Sequence, residues 1–198
     1  MKDSLTEIIF LLDRSGSMGG LESDTIGGFN SFVRQQAEIG ETLITTVLFD
    51  DQYELLHNGL NAAEVALTGK EYFVRGRTAL LDAVGKTILD VGKRLADTDE
   101  SARPGKIIFI ITTDGKENSS REFNYDKVKE MITHQKEKYG WEFIFMGANI
   151  DVAAESSRLN IDLGSTMSYQ STGAGTAKMF GAVTDMSAKL RSECKKKK

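Results

Sequence analysis

The sequence holds one cysteine, Cys194, and two histidines, His57 and His134. A lone cysteine excludes an internal disulfide and a cysteine-based zinc site. Two histidines far apart in the chain, with no ligand spacing around them, give no basis for a histidine metal site. Long apolar stretches are also missing. No run reaches the roughly 18 residues of a membrane span, so no membrane partner is expected. The start, Met1-Lys2-Asp3-Ser4, is polar, and the apolar run Ile8–Leu12 ends at Asp13. That run is too short for a secretory h-region, and the expected location is the cytoplasm. Without secretion, the sequon Asn118-Ser119-Ser120 carries no meaning. Positive charge is in deficit: Lys plus Arg is 25, Asp plus Glu is 29, and the formal net charge is -4. This argues against broad nucleic-acid binding, whose affinity comes mainly from neutralising phosphates.

What is present is a chain of 198 residues. That length suits one domain with a full core, over residues 1–194, followed by a solvated lysine tail, Lys195–Lys198. Short apolar runs alternate with longer amphipathic ones. Ile8–Leu12, Leu43–Phe49, Tyr53–His57, Ile107–Ile111, Trp141–Met146 and Met167–Tyr169 read as strands. Residues 21–37, 79–96, 124–139, 152–159 and 177–190 read as helices. Asn61–Leu67 reads as a short helix capped by Asn61. The only proline, Pro104, stands just before a strand. Ile107–Ile111 is almost wholly apolar, as a strand covered on both faces should be. Strand and helix alternating along one chain imply an α/β fold with a mostly parallel sheet. The hairpin at 43–57 adds one antiparallel edge strand.

The stretch Asp13-Arg14-Ser15-Gly16-Ser17-Met18 begins where the first buried strand ends. Thr78 stands just before a helix, and Asp114-Gly115 ends the central strand. All three elements fall at the carboxyl end of the sheet, where open α/β sheets bind ligands. Carboxylate and hydroxyl oxygens are hard ligands. They suit Mg²⁺ or Mn²⁺, with Ca²⁺ as a further candidate, rather than zinc or copper. Mg²⁺ prefers six oxygens and usually keeps water, and a partner's Glu or Asp carboxylate can replace one of those waters.

Asp13-x-Ser15-x-Ser17, then Thr78, then Asp114-Gly115, in this order on an α/β pattern, resembles a von Willebrand factor type A domain, from about residue 5 to residue 190. The resemblance implies a metal-ion-dependent adhesion site built from Asp13, Ser15, Ser17, Thr78 and Asp114, none of them substituted. It implies direct coordination by Ser15 and Ser17. Thr78 would coordinate directly when ligand is engaged and through water otherwise. Asp13 and Asp114 would act mostly through water. It further implies a Rossmann-like three-layer α/β/α fold of about six strands, with the first and central strands adjacent and helices on both faces. Compact intracellular members of the family are the ones it resembles.

The function expected is a metal-dependent protein-interaction module, not an enzyme. A partner protein would supply an acidic side chain, and the chain itself would be a monomer. Arg14, Arg77 and Lys116 flank the motif and could pair with further acids on the partner. Considered as a ligand contact, Arg14, like Met18, reads rather as an exposed rim residue. One alternative is a metal-dependent hydrolase of phosphate esters. Against it, the motif loops hold no histidine or third acid as an obvious general base. Another is self-association, with an acid of one copy entering the site of another. Asp50-Asp51 reads as a hairpin turn rather than a second metal site. Asp82 reads equally as support for the site and as a first-turn acid of its helix. Gly85-Lys86-Thr87 lacks the upstream glycine of a phosphate loop. Gly173-Ala174-Gly175 reads as a flexible lead-in to the last helix. Met131, Met179 and Met186 read as core, and Trp141 as packed.

Overall fold

The computed structural model describes residues 1–194. The expected lysine tail, Lys195–Lys198, lies outside the described residues. Six strands form one sheet: β1 (Lys2–Asp13), β2 (Thr42–Phe49), β3 (Tyr53–Asn61), β4 (Pro104–Thr113), β5 (Glu142–Gly147) and β6 (Thr166–Ser168). Five α-helices flank it: α1 (Glu22–Ile39), α2 (Leu80–Asp97), α3 (Tyr125–Tyr139), α4 (Val152–Arg158) and α5 (Gly173–Cys194). The spatial order is β3-β2-β1-β4-β5-β6. Every neighbouring pair is parallel except β2 with β3, the expected antiparallel edge. This is the three-layer α/β/α arrangement, with β1 and β4 side by side at its centre.

The alternation of side chains along β1 makes the two cores. Ile9 and Leu11 point to one face and pack with Phe109, Ile111 and the helices α2 and α3. Ile8, Phe10 and Leu12 point to the other and pack with α1 and α5. With both faces covered, the strand must be apolar throughout its middle. Phe10 anchors the second core, edge-on to Phe29 and Phe32 at ring-centroid distances of 5.6 and 5.3 Å. A Cβ at Gly28 would lie 2.1 Å from the Phe180 ring, so the α1–α5 contact needs glycine there. Trp141, just before β5, is buried and stacks near Phe109, as a packed residue should. Met179 is buried, and Met131 and Met186 pack against the cores.

Three local expectations are corrected. β1 starts at Lys2, well before the apolar run, because its polar beginning pairs with Pro104 across the sheet. Asn61–Leu67 is not a helix. Asn61 does cap, accepting from the Ala63 amide, but only the single 3₁₀ turn Ala62–Glu64 follows. Val65 and Leu67 are both buried, as extended backbone places residues two apart. Asn30 fixes Leu67 by bonding both its amide and its carbonyl at 2.8 Å. Gly173–Gly175 is the first turn of α5 rather than a lead-in. The Thr172 hydroxyl accepts from the Gly175 amide, and a Cβ at Gly175 would lie 2.0 Å from the Gln170 carbonyl oxygen.

Candidate metal centre

β1 and β4 end side by side, which brings Asp13 and Asp114 to the same end of the sheet. After Asp13 the chain leaves the sheet and turns through a 3₁₀ segment, Gly16–Met18. This turn points Ser15 and Ser17 the same way, and their Oγ atoms lie 3.1 Å apart. Thr78, just before α2, donates from Oγ1 to Ser15 Oγ at 3.1 Å. Ser17 donates to Asp114 Oδ1 in a short bond. Oxygens from three separate loops therefore form one continuous cluster. Asp13, Ser15, Thr78 and Asp114 are buried, and Ser17 is exposed.

Asp13 stands behind this cluster. Its Oδ1 accepts from the Ser15 amide at 2.7 Å and its Oδ2 from Thr113 Oγ1 at 2.6 Å. Burial pushes its pKa up to about 6. The hydrogen bonds from Ser15 and Thr113 oppose the rise, and the nearby Asp114 charge adds to it. A cation beside the cluster would offset the cost of ionising Asp13 in this buried place.

The donor set fits a hard divalent ion. In octahedral geometry with metal–oxygen distances of about 2.1 Å, neighbouring ligand oxygens lie about 3.0 Å apart. The Ser15–Ser17 and Ser15–Thr78 oxygen spacings of 3.1 Å match that edge. The cradle also excludes bulk. A Cβ at Gly115 would come within 3.2 Å of both Ser17 Oγ and Thr78 Oγ1. Among the described residues, no group of three or more His, Cys, Asp or Glu is placed to hold a metal ion. A hard-metal site here therefore depends on the hydroxyls.

Several residues that sequence reasoning did not single out hold the cluster. Tyr72 donates to the Asp13 carbonyl at 2.6 Å. Ser171 donates to Asp114 Oδ2 at 3.1 Å, and Asn149, at a left-handed φ of 56°, donates to the Asp114 carbonyl at 3.3 Å. Asn118 pairs with both the amide and the carbonyl of Thr78, each at 3.1 Å. The same loop caps α2, whose own N-cap residue Ala79 has no polar side chain. Glu117 accepts from the Leu81 amide and Ser120 from the Asp82 amide. Asp82 in turn accepts from the amides of Arg121, Glu122 and Phe123 at 2.9 Å each. Its role is to clamp this loop. Only Thr113, adjacent to Asp114 at the strand end, carried a local signal.

Two flanking residues are not rim residues. Arg14 is wholly buried and Met18 is 3% exposed. The Arg14 side chain turns away from the cluster toward the β2–β3 hairpin. There it donates to Asp50 at 3.0 Å and to Glu54 at 2.7 Å. It is therefore not free to meet a partner. Asp50 is the buried acceptor of that hairpin turn, shared with Arg75 at 2.7 Å. Arg77 and Lys116 are exposed.

No family model matches the chain, and no curated protein matches it. Solved structures do. Proximal thread matrix protein 1 from the mussel byssus superposes with a TM-score of 0.66 at 15% identity, over 94% of this chain and 47% of that one. The vWF domain of a type V pili tip protein from Porphyromonas gingivalis gives a TM-score of 0.66 at 11% identity, over 91% of this chain and 94% of that one. A von Willebrand factor type A protein from Catenulispora acidiphila gives 0.56 at 17% identity, over 90% of this chain and 41% of that one. The chain has a von Willebrand factor type A fold. It spans about half the length of the mussel and Catenulispora proteins it matches. On a von Willebrand type A sheet, the cluster occupies the carboxyl ends of the two central strands, the general position of ligand sites in open α/β folds.

Proposed function

We propose that this chain is a metal-dependent protein-interaction module that captures an acidic side chain of a partner protein. The observation that carries the reading is the single cluster formed by Ser15, Ser17, Thr78 and Asp114 from three loops, with Asp13 buried behind it. Ser15, Ser17 and Thr78 would hold Mg²⁺ or Mn²⁺ through their hydroxyls, with Ca²⁺ as a further candidate. When bound, the ion supplies an electrophilic position for a partner's Glu or Asp carboxylate.

The chain's own residues do the rest. Asp13 supplies charge while its two oxygens fix the Ser15 amide and Thr113. Asp114 orients the Ser17 hydroxyl and is itself held by Ser171. Exposed Ser17 opens the cluster to a partner. Arg77 and Lys116 are exposed nearby and would orient further acids, aiding capture more than affinity. The reading is non-enzymatic: the motif loops hold no histidine, and the one further acid after Asp114, Glu117, is committed to the amides of Leu81, Ser119 and Ser120 rather than free as a general base. A neighbour in a pilus tip protein is consistent with an interaction role. The location proposed is the cytoplasm, which cell fractionation tests separately.

Selection from a displayed random-peptide library, in Mg²⁺ and in EDTA, tests the function. Peptides enriched in Glu or Asp only in Mg²⁺, and not enriched on Asp114→Ala, are the expected result. The same peptides recovered in EDTA would contradict it.

A further inference from the structure

At the opposite end of the sheet from the hydroxyl cluster, a cavity of about 840 Å³ opens between α2 and α3. Its walls include Leu89, Leu95, Ile107, Met131, Tyr139 and Trp141. Leu89 and Tyr139 are 56% and 57% exposed at its mouth, and Trp141 is buried at its wall. This is the size of a small-molecule site: concave, with an apolar wall and polar side chains from Lys93, Arg103, Glu130, His134 and Gln135 at its border.

Two observations indicate what it takes. The first is Gly92, in the interior of α2 and on the cavity wall. Glycine is a poor helix former. Nothing lies within 4 Å of a Cβ placed there, so packing does not demand it. Its effect is to leave space in the cavity. The second is charge. Arg103 is committed to the end of α2, donating from Nε to the Thr98 carbonyl at 2.8 Å and from Nη2 to the Ala96 carbonyl at 2.9 Å. Those bonds cover the negative end of the helix. Lys93, on the same wall, makes no hydrogen bond or ion pair among the described residues and is exposed. Glu130 on the facing helix is likewise exposed and makes no hydrogen bond or ion pair among the described residues, so the lining sets two cations, Lys93 and Arg103, against one acid and favours an anionic head group.

We propose that this cavity binds a small amphiphilic carboxylate, with its hydrocarbon part among Leu95, Met131 and Trp141 and its carboxylate at Lys93. The site is independent of the metal centre.

Trp141 is the only tryptophan, so its fluorescence reports the site directly. The probes are decanoate, 1-decanol and decylamine, each below its micelle or solubility limit. Decanoate should give a saturable change and bind tighter than decanol, with decylamine weakest. Lys93→Gln should weaken decanoate about threefold and leave decanol unchanged, while Glu130→Gln should tighten decanoate. Gly92→Leu fills the cavity with a better helix former. It should unfold at or above the wild-type temperature and lose the response. Four results would overturn the proposal: no saturable response to decanoate, decylamine binding as tightly as decanoate, an unchanged response in folded Gly92→Leu, or a dimer of the wild-type chain that Gly92→Leu abolishes.

Discussion

Arg14 and Asp50 form a wholly buried ion pair, Nε donating to Oδ2 at 3.0 Å, although 36 positions separate them in the chain. The pair ties the loop that carries Ser15 and Ser17 to the β2–β3 hairpin. Phe73 covers it, its ring centre 5.4 Å from the Arg14 guanidinium carbon.

Removing Arg14 leaves Asp50 buried with only the partly exposed Arg75 as cation. Arg14→Met should therefore cost about 3 kcal/mol of stability, the range for breaking one side of a buried pair. Arg75→Met, which leaves the buried pair intact, should cost less than about 1 kcal/mol. Urea unfolding of the two variants at neutral pH measures the difference. Equal losses would show that Arg14 does not carry the buried charge.

Asp13 sets a pH dependence. Its pKa in the fold is about 6 against an ordinary 3.8, so the metal-free folded state holds the proton more tightly than the unfolded chain. This contribution is fully present below pH 3.8 and is lost as pH rises through 6. The difference of about two pK units is worth roughly 3 kcal/mol. Urea unfolding in EDTA should show that loss between pH 4 and pH 7, and Asp13→Asn should flatten it. Saturating Mg²⁺ should restore stability at pH 7, where the carboxylate is ionised. An identical pH profile in Asp13→Asn would assign the effect to other groups.

Gly115→Ala tests the cradle. Its backbone is not in the left-handed region, so alanine brings only a Cβ, 3.2 Å from Ser17 Oγ and Thr78 Oγ1. Those hydroxyls must spread. Metal affinity, read by calorimetric titration with Mn²⁺, should fall about tenfold, or 1.4 kcal/mol. Stability without metal should change by less than about 1 kcal/mol. Unchanged affinity would mean that these hydroxyls do not define the site.

The strands and helices were legible because their periodicity is local. Ile8–Leu12 and Ile107–Ile111 are apolar enough to require cover on both faces, and that sets them at the centre of the sheet. The four cluster residues and Asp13 behind them were legible for a related reason: they stand at a strand end, in the turn that follows one, or just before a helix, so the topology brings them to one end. Arg14 was not legible, because a charged residue between Asp13 and Ser15 gives no sign of an acceptor on a distant hairpin. Tyr72, Asn118 and Ser171 escaped for the same reason: they reach the cluster only through tertiary folding. The Asn61–Leu67 segment misled because a good capping residue preceded apolar positions whose spacing is extended. Gly173–Gly175 misled because glycine was taken for flexibility where close backbone approach requires it.

The central claim is that the hydroxyl cluster holds a divalent cation in the folded chain. Thermal unfolding of the wild type and Asp13→Ala, in EDTA and then in Mg²⁺, Mn²⁺ and Ca²⁺, tests it most directly. At one hundred times Kd, a ligand of the native state adds about 2.7 kcal/mol, roughly 5–10 °C for a domain of this size. A rise with Mg²⁺ or Mn²⁺ in the wild type, absent from a folded Asp13→Ala, is the predicted result. No rise with any of the three at millimolar concentration, or an equal rise in Asp13→Ala, would contradict it.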